Sequence, residues 1–257
     1  MDVTAMRLLA VRLARAAGDL AVARRPTAVV SAKGQAGDVV TEVDRECERL
    51  IIEGIRGSFP QHAILGEETG RHGPQGSVVQ WLVDPLDGTN NYVMDVASHG
   101  VCITACLDGE PLVAVSHDAP ARRTFAAVRG GGATVDDEPV RMRDPAALIR
   151  STVSWTQGYG VDRDDATRNA AFAALERSTK RVLRTWSPSI DWGLLATGHV
   201  AGVVAYRNEP WDLVGGVLIG TEAGAGVVRD RTGDWVVVAH PAVLADLVAV
   251  LGIEPAG

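Results

Sequence analysis

The chain is poor in cysteine, in aromatic residues and in positive charge, and it lacks any long apolar run. Its three cysteines, Cys47, Cys102 and Cys106, form no Cys-x-x-C pair. That speaks against a zinc site or a disulfide framework and points to reduced thiols in a cytoplasmic protein. The formal net charge is -7 at pH 7. Non-specific binding of a nucleic-acid polymer needs the opposite sign. A nucleotide-sized substrate stays open, because a local metal cluster can override global charge. No uninterrupted apolar stretch reaches bilayer length, so no membrane partner is expected. The first residues carry Asp2, Arg7, Arg12 and Arg15 in a periodic pattern, unlike a secretion signal. A length of 257 residues suits one large domain or two small ones.

What the sequence does have is periodicity that changes midway. Met6, Leu9, Leu13, Ala17 and Leu20 recur at helical spacing and predict an amphipathic helix over 3–25, closed by Pro26. Thr41 reads as the N-cap of a second helix, with Glu42 and Asp44 in its first turn. A short strand at 63–65, a surface loop at 70–77 and a strand at 78–83 follow. Strand-like runs at 99–107, 111–117 and 123–128, separated by turn residues, predict an antiparallel meander. Gly130-Gly131-Gly132 and Asp136-Asp137 suggest one more hairpin. From about residue 150, strands at 151–155, 181–185, 201–206, 225–229 and 234–239 alternate with helices at 163–178, 189–198, 211–223 and 241–251. The expected fold class is therefore α/β, with an α+β N-terminal half (1–147) and an α/β C-terminal half (148–257).

Three acidic clusters stand at element boundaries: Gly66-Glu67-Glu68, Asp84 with Asp87, and Trp211-Asp212. Asp212 also reads as a helix cap, and Glu68 as a surface charge. Asp84 and Asp87 are harder to explain that way. An apolar strand runs straight into them, Pro85 fixes φ between them, and Gly88 allows an unusual backbone or a close approach. Thr89, Asn90 and Asn91 are helix-start residues, and a helix start offers free N–H groups to an anion. Carboxylates beside an anion site suggest a hard divalent cation bridging to a phosphate. The histidines are scattered without metal-ligand spacing.

The Asp84-Pro85-Leu86-Asp87-Gly88-Thr89 segment resembles the first signature of the inositol monophosphatase family. Gly66-Glu67-Glu68 and Asp38-Val39-Val40-Thr41-Glu42-Val43-Asp44 resemble it too. So do Trp211-Asp212-Leu213-Val214-Gly215-Gly216 and Thr221-Glu222-Ala223-Gly224, in the family's order and over nearly the whole chain. The resemblance implies a magnesium-dependent, lithium-sensitive phosphomonoesterase of layered αβαβα architecture, usually a homodimer. It implies that Glu67, Asp84 and the Leu86 carbonyl hold a first Mg²⁺. Asp84, Asp87 and Asp212 hold a second, and Glu67 helps a third, giving two or three ions. Asp44 and Thr89 form the pair that orients and deprotonates the attacking water, with Glu67 beside them. The N–H groups of Gly88 and Thr89 grip the phosphate. Asp87, Ser187, Ser189 and Asp212 face the substrate alcohol. Lys33 approaches the metals or the phosphate, or is a solvated loop lysine.

Two departures bear on the substrate. Where the family has a Gly-Ser/Thr-Ala-Ala stretch, this chain has Trp186 followed by Ser187-Pro188-Ser189-Ile190, and Pro188 removes a donor. Ala205 stands where inositol-specific members carry a Glu, and Glu209 is out of register with it. The expected substrate is a small phosphate monoester other than plain inositol phosphate. Sugar, histidinol and 3′-phosphonucleotide phosphatases are alternatives on the same machinery. A non-catalytic relative that binds a phosphometabolite is the alternative outside it.

Overall fold

Helix α1 (Val3–Arg24) starts where the Asp2 side chain accepts the Ala5 N–H at 2.9 Å. Its apolar stripe, including Met6, Leu9, Leu13 and Ala17, is buried. In the computed structural model, residues 2–25, 28–33 and 38–256 are described; for Ala32, Lys33 and Asp38 this covers the backbone alone. Pro26, the loop at 34–37 and the Lys33 side chain therefore lie outside the described residues.

Strands β1 (Val30–Lys33) and β2 (Asp38–Thr41) pair as an antiparallel hairpin. Helix α2 (Glu42–Ser58) follows, opened by a capping box in which Thr41 and Asp44 satisfy each other's backbone donors. Its stripe of Val43, Cys47, Ile51 and Ile55 is fully buried.

The next strands build one eight-stranded sheet: β3 (Ala63–Gly66), β4 (Gly70–His72), β5 (Val79–Asp87), β6 (Gly100–Leu107), β7 (Glu110–Asp118), β8 (Arg123–Val128), β9 (Gly132–Val135) and β10 (Glu138–Val140). Their spatial order is β10-β9-β8-β7-β6-β5-β3-β4. The meander β6–β8 and the β9–β10 hairpin run antiparallel, as the turn residues predict. The predicted surface loop at 70–77 is partly wrong. Gly70–His72 pairs with β3 as an edge strand. Such a three-residue strand exists only through its partner and leaves no periodic signal of its own.

The C-terminal strands form a five-stranded sheet in the order β12-β11-β13-β15-β14. These are β11 (Thr152–Gln157), β12 (Arg181–Leu183), β13 (Gly202–Tyr206), β14 (Gly226–Arg229) and β15 (Trp235–Ala239). β11 runs parallel to β12 and β13, whereas β15 is antiparallel to β13 and β14. Helices α4 (Ala166–Ser178), α5 (Pro188–Ala196), α6 (Pro210–Glu222) and α7 (Pro241–Leu251) alternate with them.

Helices α1 and α2 cover one face of the larger sheet, and α5 and α6 pack between the two sheets. Helices α4 and α7 lie against the smaller sheet and each other. The result is the layered α/β architecture expected. No helix among the described residues is long and apolar enough to cross a membrane. All three cysteines are buried and free, and burial pushes the Cys47 thiol up to about 12, so it stays protonated.

Candidate active site

Strand β5 carries the first acidic residues. It does not stop at Pro85 as the sequence suggests. It continues to Asp87, but its ladder to β6 lapses between Asp84 and Asp87, where the register shifts. Proline cannot donate to a ladder, and the resulting bulge re-aims the side chains around it. Asp84 Oδ1 accepts the Leu86 N–H at 3.0 Å within this bulge. Gly88 then turns at φ 80°, and short helix α3 (Thr89–Val93) begins. A Cβ at Gly88 would lie 2.9 Å from the Ser98 carbonyl oxygen and 3.0 Å from Ser187 Oγ, so only glycine turns here without displacing a neighbour.

The other ligand candidates arrive from separate elements. The parallel pairing of β3 and β5 ends with the Glu67 N–H donating to the Val83 carbonyl at 3.0 Å, which sets Glu67 beside Asp84. Asp212 sits in the first turn of α6, whose N1 position is Pro210. Glu67, Asp84, Leu86, Asp87, Gly88, Thr89 and Asp212 line one narrow cleft. Asp84, Asp87 and Asp212 each offer an oxygen within 4.8 Å of the others.

Those carboxyls strain against one another. Asp84 is raised well above the usual carboxylate range, first by burial and then by the charges of Glu67, Asp87 and Asp212. Asp212 is raised in the same way, although it keeps some exposure. Asp87 is pushed up to about 6 by burial, against hydrogen bonds from Ser189, Ser187 and Gly88 that favour its ionised form. Such a cluster needs shared protons or a cation to coexist. The donors are all hard oxygens, and that set fits Mg²⁺.

Thr89 Oγ1 lies 2.9 Å from Asp44 Oδ1 and 2.9 Å from the Leu86 carbonyl oxygen. Asp44 Oδ2 accepts from the Thr41 N–H and hydroxyl. Behind the cleft, the Glu48 carboxyl accepts the Glu68 N–H at 3.0 Å.

Ser187 and Ser189 are fully buried beneath Asp87. Ser187 Oγ donates to Asp87 Oδ2 at 2.8 Å, and the Ser189 N–H donates to the same oxygen at 2.6 Å. Their contacts are with a carboxylate, away from the open cleft. Pro188 costs nothing here: it is N1 of α5, where a missing N–H is not used. Ala205 is buried in β13, whereas Glu209 lines the cleft. Trp155 and Trp192 are core residues, whereas Trp186 and Trp211 reach the cleft. His99 is buried against the Tyr92 ring and held down to about 4 by burial, so it is neutral core.

Helix α6 is fixed in depth. Trp192 Nε1 donates to the Asp212 carbonyl at 2.8 Å, and a Cβ at Gly216 would meet the Trp192 ring at 2.0 Å. The sequence reading missed Thr156, Gln157 and Tyr159, which close the cleft from the end of β11. It also missed Asp191, which is fully buried and accepts from Ser154 Oγ at 2.5 Å. No local motif marks either.

The family profile described as the inositol monophosphatase family matches residues 2–251. The chain is 34% identical over 231 residues to the Nus factor SuhB of Salmonella typhimurium, covering 89% of this chain and 86% of that one. It is 35% identical over 197 residues to the inositol-1-monophosphatase of Synechocystis sp., covering 76% and 68%. The inositol monophosphatase structure from Anabaena superposes with a TM-score of 0.86 at 29% identity, covering 99% of this chain and 98% of that one. With motif order, layered fold and almost the full length in agreement, the protein belongs to the inositol monophosphatase family and is a phosphatase.

Proposed function

We propose that the protein hydrolyses a small-molecule phosphate monoester, with magnesium held by Glu67, Asp84, Asp87, Asp212 and the Leu86 carbonyl. The observation that carries this reading is the convergence of Asp84, Asp87 and Asp212 oxygens within 4.8 Å. When bound, magnesium supplies Lewis acidity at the phosphoryl group, offsets charge and acidifies coordinated water. Two or three ions per site, inhibition by lithium, a homodimer and a cytoplasmic location accompany the same reading, and the two halves 1–147 and 148–257 act as one catalytic unit.

The chain's own residues position and move protons. Thr89 Oγ1 receives the proton of the attacking water as its own proton passes to Asp44 Oδ1. Burial raises Asp44, and its hydrogen bonds to Thr41 and Thr89 oppose that shift, which tunes it as an acceptor. Glu67, set beside Asp84, helps to orient the water. The Thr89 N–H at the start of α3 holds a phosphoryl oxygen, whereas the Gly88 N–H, the other donor expected there, is engaged by Asp87. Ser187 and Ser189 act as positioning residues: they hold Asp87 and do not touch the alcohol. Phosphoryl transfer needs placement and charge neutralisation more than covalent help, and this site offers both.

The alcohol is not plain inositol, because Ala205 offers no acceptor to a sugar-like hydroxyl at that position. Sugar, histidinol and 3′-phosphonucleotide esters remain alternatives. Phosphate release with and without magnesium separates hydrolysis from mere binding. Asp87→Asn abolishes turnover on this reading while the fold persists; full activity in that variant rules out the ligand assignment.

A further inference from the structure

Glu48 is a buried carboxyl with no part in the chemistry described above. It lies on α2 one turn beyond Asp44, on the same face of the helix. It is 0% exposed. Its Oε1 accepts the Glu68 N–H at 3.0 Å, and its Oε2 has no hydrogen-bond partner among the described residues. A carboxyl buried in that state destabilises a fold. Violations of this kind gather where a site depends on them.

What Glu48 grips is the turn that carries a metal-ligand candidate. Strands β3 and β4 close at the Gly66–Gly70 pair, and residues 67–69 make the turn between them. The parallel register of β3 with β5 ends where Gly66 faces Val83. The Glu67 N–H still reaches the Val83 carbonyl at 3.0 Å. Beyond that point β5 enters its bulge, and the next N–H, that of Glu68, goes to Glu48. These two peptides flank the Glu67 Cα. A residue has only two soft backbone dihedrals, and here one hydrogen bond restrains each side. Glu48 therefore holds the half of the Glu67 backbone that the sheet releases. The approach is close: a Cβ at Gly66 would lie 2.0 Å from Glu48 Oε1 and 2.7 Å from its Cδ. Glycine at 66 is what admits the carboxyl to the turn.

We propose that Glu48 is a positioning residue of the metal site: it aims Glu67 at the cleft through the backbone of the 67–69 turn and does not itself meet the ion. The inference rests on the magnesium-dependent reading above and deepens it. Helix α2 then carries two parts of the machinery on one face. Asp44 meets Thr89, and one turn away Glu48 sets the direction of Glu67. The proton acceptor and the ligand share one rigid support, so a helix fixes their separation where a three-residue turn alone would not. The role asks for an acceptor oxygen under the Glu68 N–H and makes no use of the carboxyl's charge.

Calorimetric titration with magnesium chloride of the parent, Glu48→Ala, Glu48→Gln and Gly66→Ala tests it, with the Tm of each in chelator. Glu48→Ala is expected to weaken the magnesium Kd at least tenfold. Glu48→Gln stays within threefold of the parent, because its amide oxygen accepts the Glu68 N–H and no donor to Oε2 is lost. Gly66→Ala weakens the Kd tenfold with Glu48 still present, since its methyl takes the place of the carboxyl oxygen. The double variant is no weaker than either single one, as expected for two changes that break the same contact. A Kd within threefold of the parent in Glu48→Ala, with only the Tm in chelator lowered, overturns the role and leaves the phosphatase reading intact. An equal loss in Glu48→Gln also overturns it, by tracing the effect to charge. Should Glu48→Ala fail to fold, Gly66→Ala decides: an unchanged Kd there overturns the role. A parent that binds no magnesium overturns the role together with the metal reading beneath it.

Discussion

Thr89 and Asp44 stand 45 positions apart and meet across a 2.9 Å hydrogen bond. Each stands in the first turn of a helix, α3 in one case and α2 in the other, so two helix starts meet beside the cleft. Thr41 fixes the second oxygen of Asp44, which leaves the carboxylate little rotational freedom.

Thr89→Val removes the hydroxyl and keeps the branched shape. We expect kcat to fall about 10²-fold or more, in the range of a lost general base, with the circular dichroism spectrum unchanged. Thr89→Ser should recover most of the rate. A valine variant within twofold of the parent would exclude Thr89 from proton transfer.

The carboxylate trio predicts a stability response to magnesium. Titrating the ion to about 100 times its Kd adds about 2.7 kcal/mol to the folded state. In thermal unfolding this corresponds to several degrees for a chain of this size. Asp84→Asn should abolish the magnesium-induced rise yet raise the Tm measured in chelator. It removes one member of a repelling buried cluster and keeps an oxygen to accept the Leu86 N–H. A lower Tm in chelator would mean that the cluster does not strain the metal-free fold.

Asp191 gives a pH dependence. Burial pushes its carboxyl up to about 8, against about 4 for an unfolded carboxyl. Between those values the folded state holds a proton that the unfolded state has lost. The contribution to stability is therefore complete below about pH 4 and fades as pH rises through about 8. Asp191→Asn imitates the neutral acid. Its Tm relative to the parent should climb between pH 5 and pH 8; a pH-independent difference would show that Asp191 is ionised in the fold.

Ser187→Ala deletes one of the two strong hydrogen bonds to Asp87 Oδ2 and leaves the Ser189 N–H in place. A hydrogen bond to a charged group contributes about 1.5–3 kcal/mol, so denaturant unfolding should show a loss of that order. The magnesium concentration for half-maximal activity should rise several-fold as Asp87 loosens. Stability loss with unchanged magnesium dependence would confine Ser187 to a structural part.

Much of this was legible before any coordinates. The Asp84–Thr89 segment announces itself, because strand, proline, glycine and helix-start residues lie within a few positions. The meander from β6 to β8 follows from turn residues between apolar runs, and the α/β rhythm after 150 from alternating periods. What stayed hidden depends on tertiary partners. Gly70–His72 is a strand only because β3 lies beside it. The mixed direction of the smaller sheet leaves no trace in its period-2 strands. Ser187 and Ser189 look like substrate contacts in sequence; the face that α5 turns inward places them under Asp87. A cavity next to Trp186 joins residues near 90, 160 and 185. No local motif spans such distances.

The indole of Trp192 is a mechanical stop for the helix that delivers Asp212. Gly216, one turn further along α6, lets that helix settle flush on the ring, and a Cβ there would overlap it at 2.0 Å. Each carbon added at this position must lift the helix and carry the carboxylate away from its companions. The reach of a metal ligand is thus set by hydrogen in place of a methyl group, four residues away from the ion it would hold.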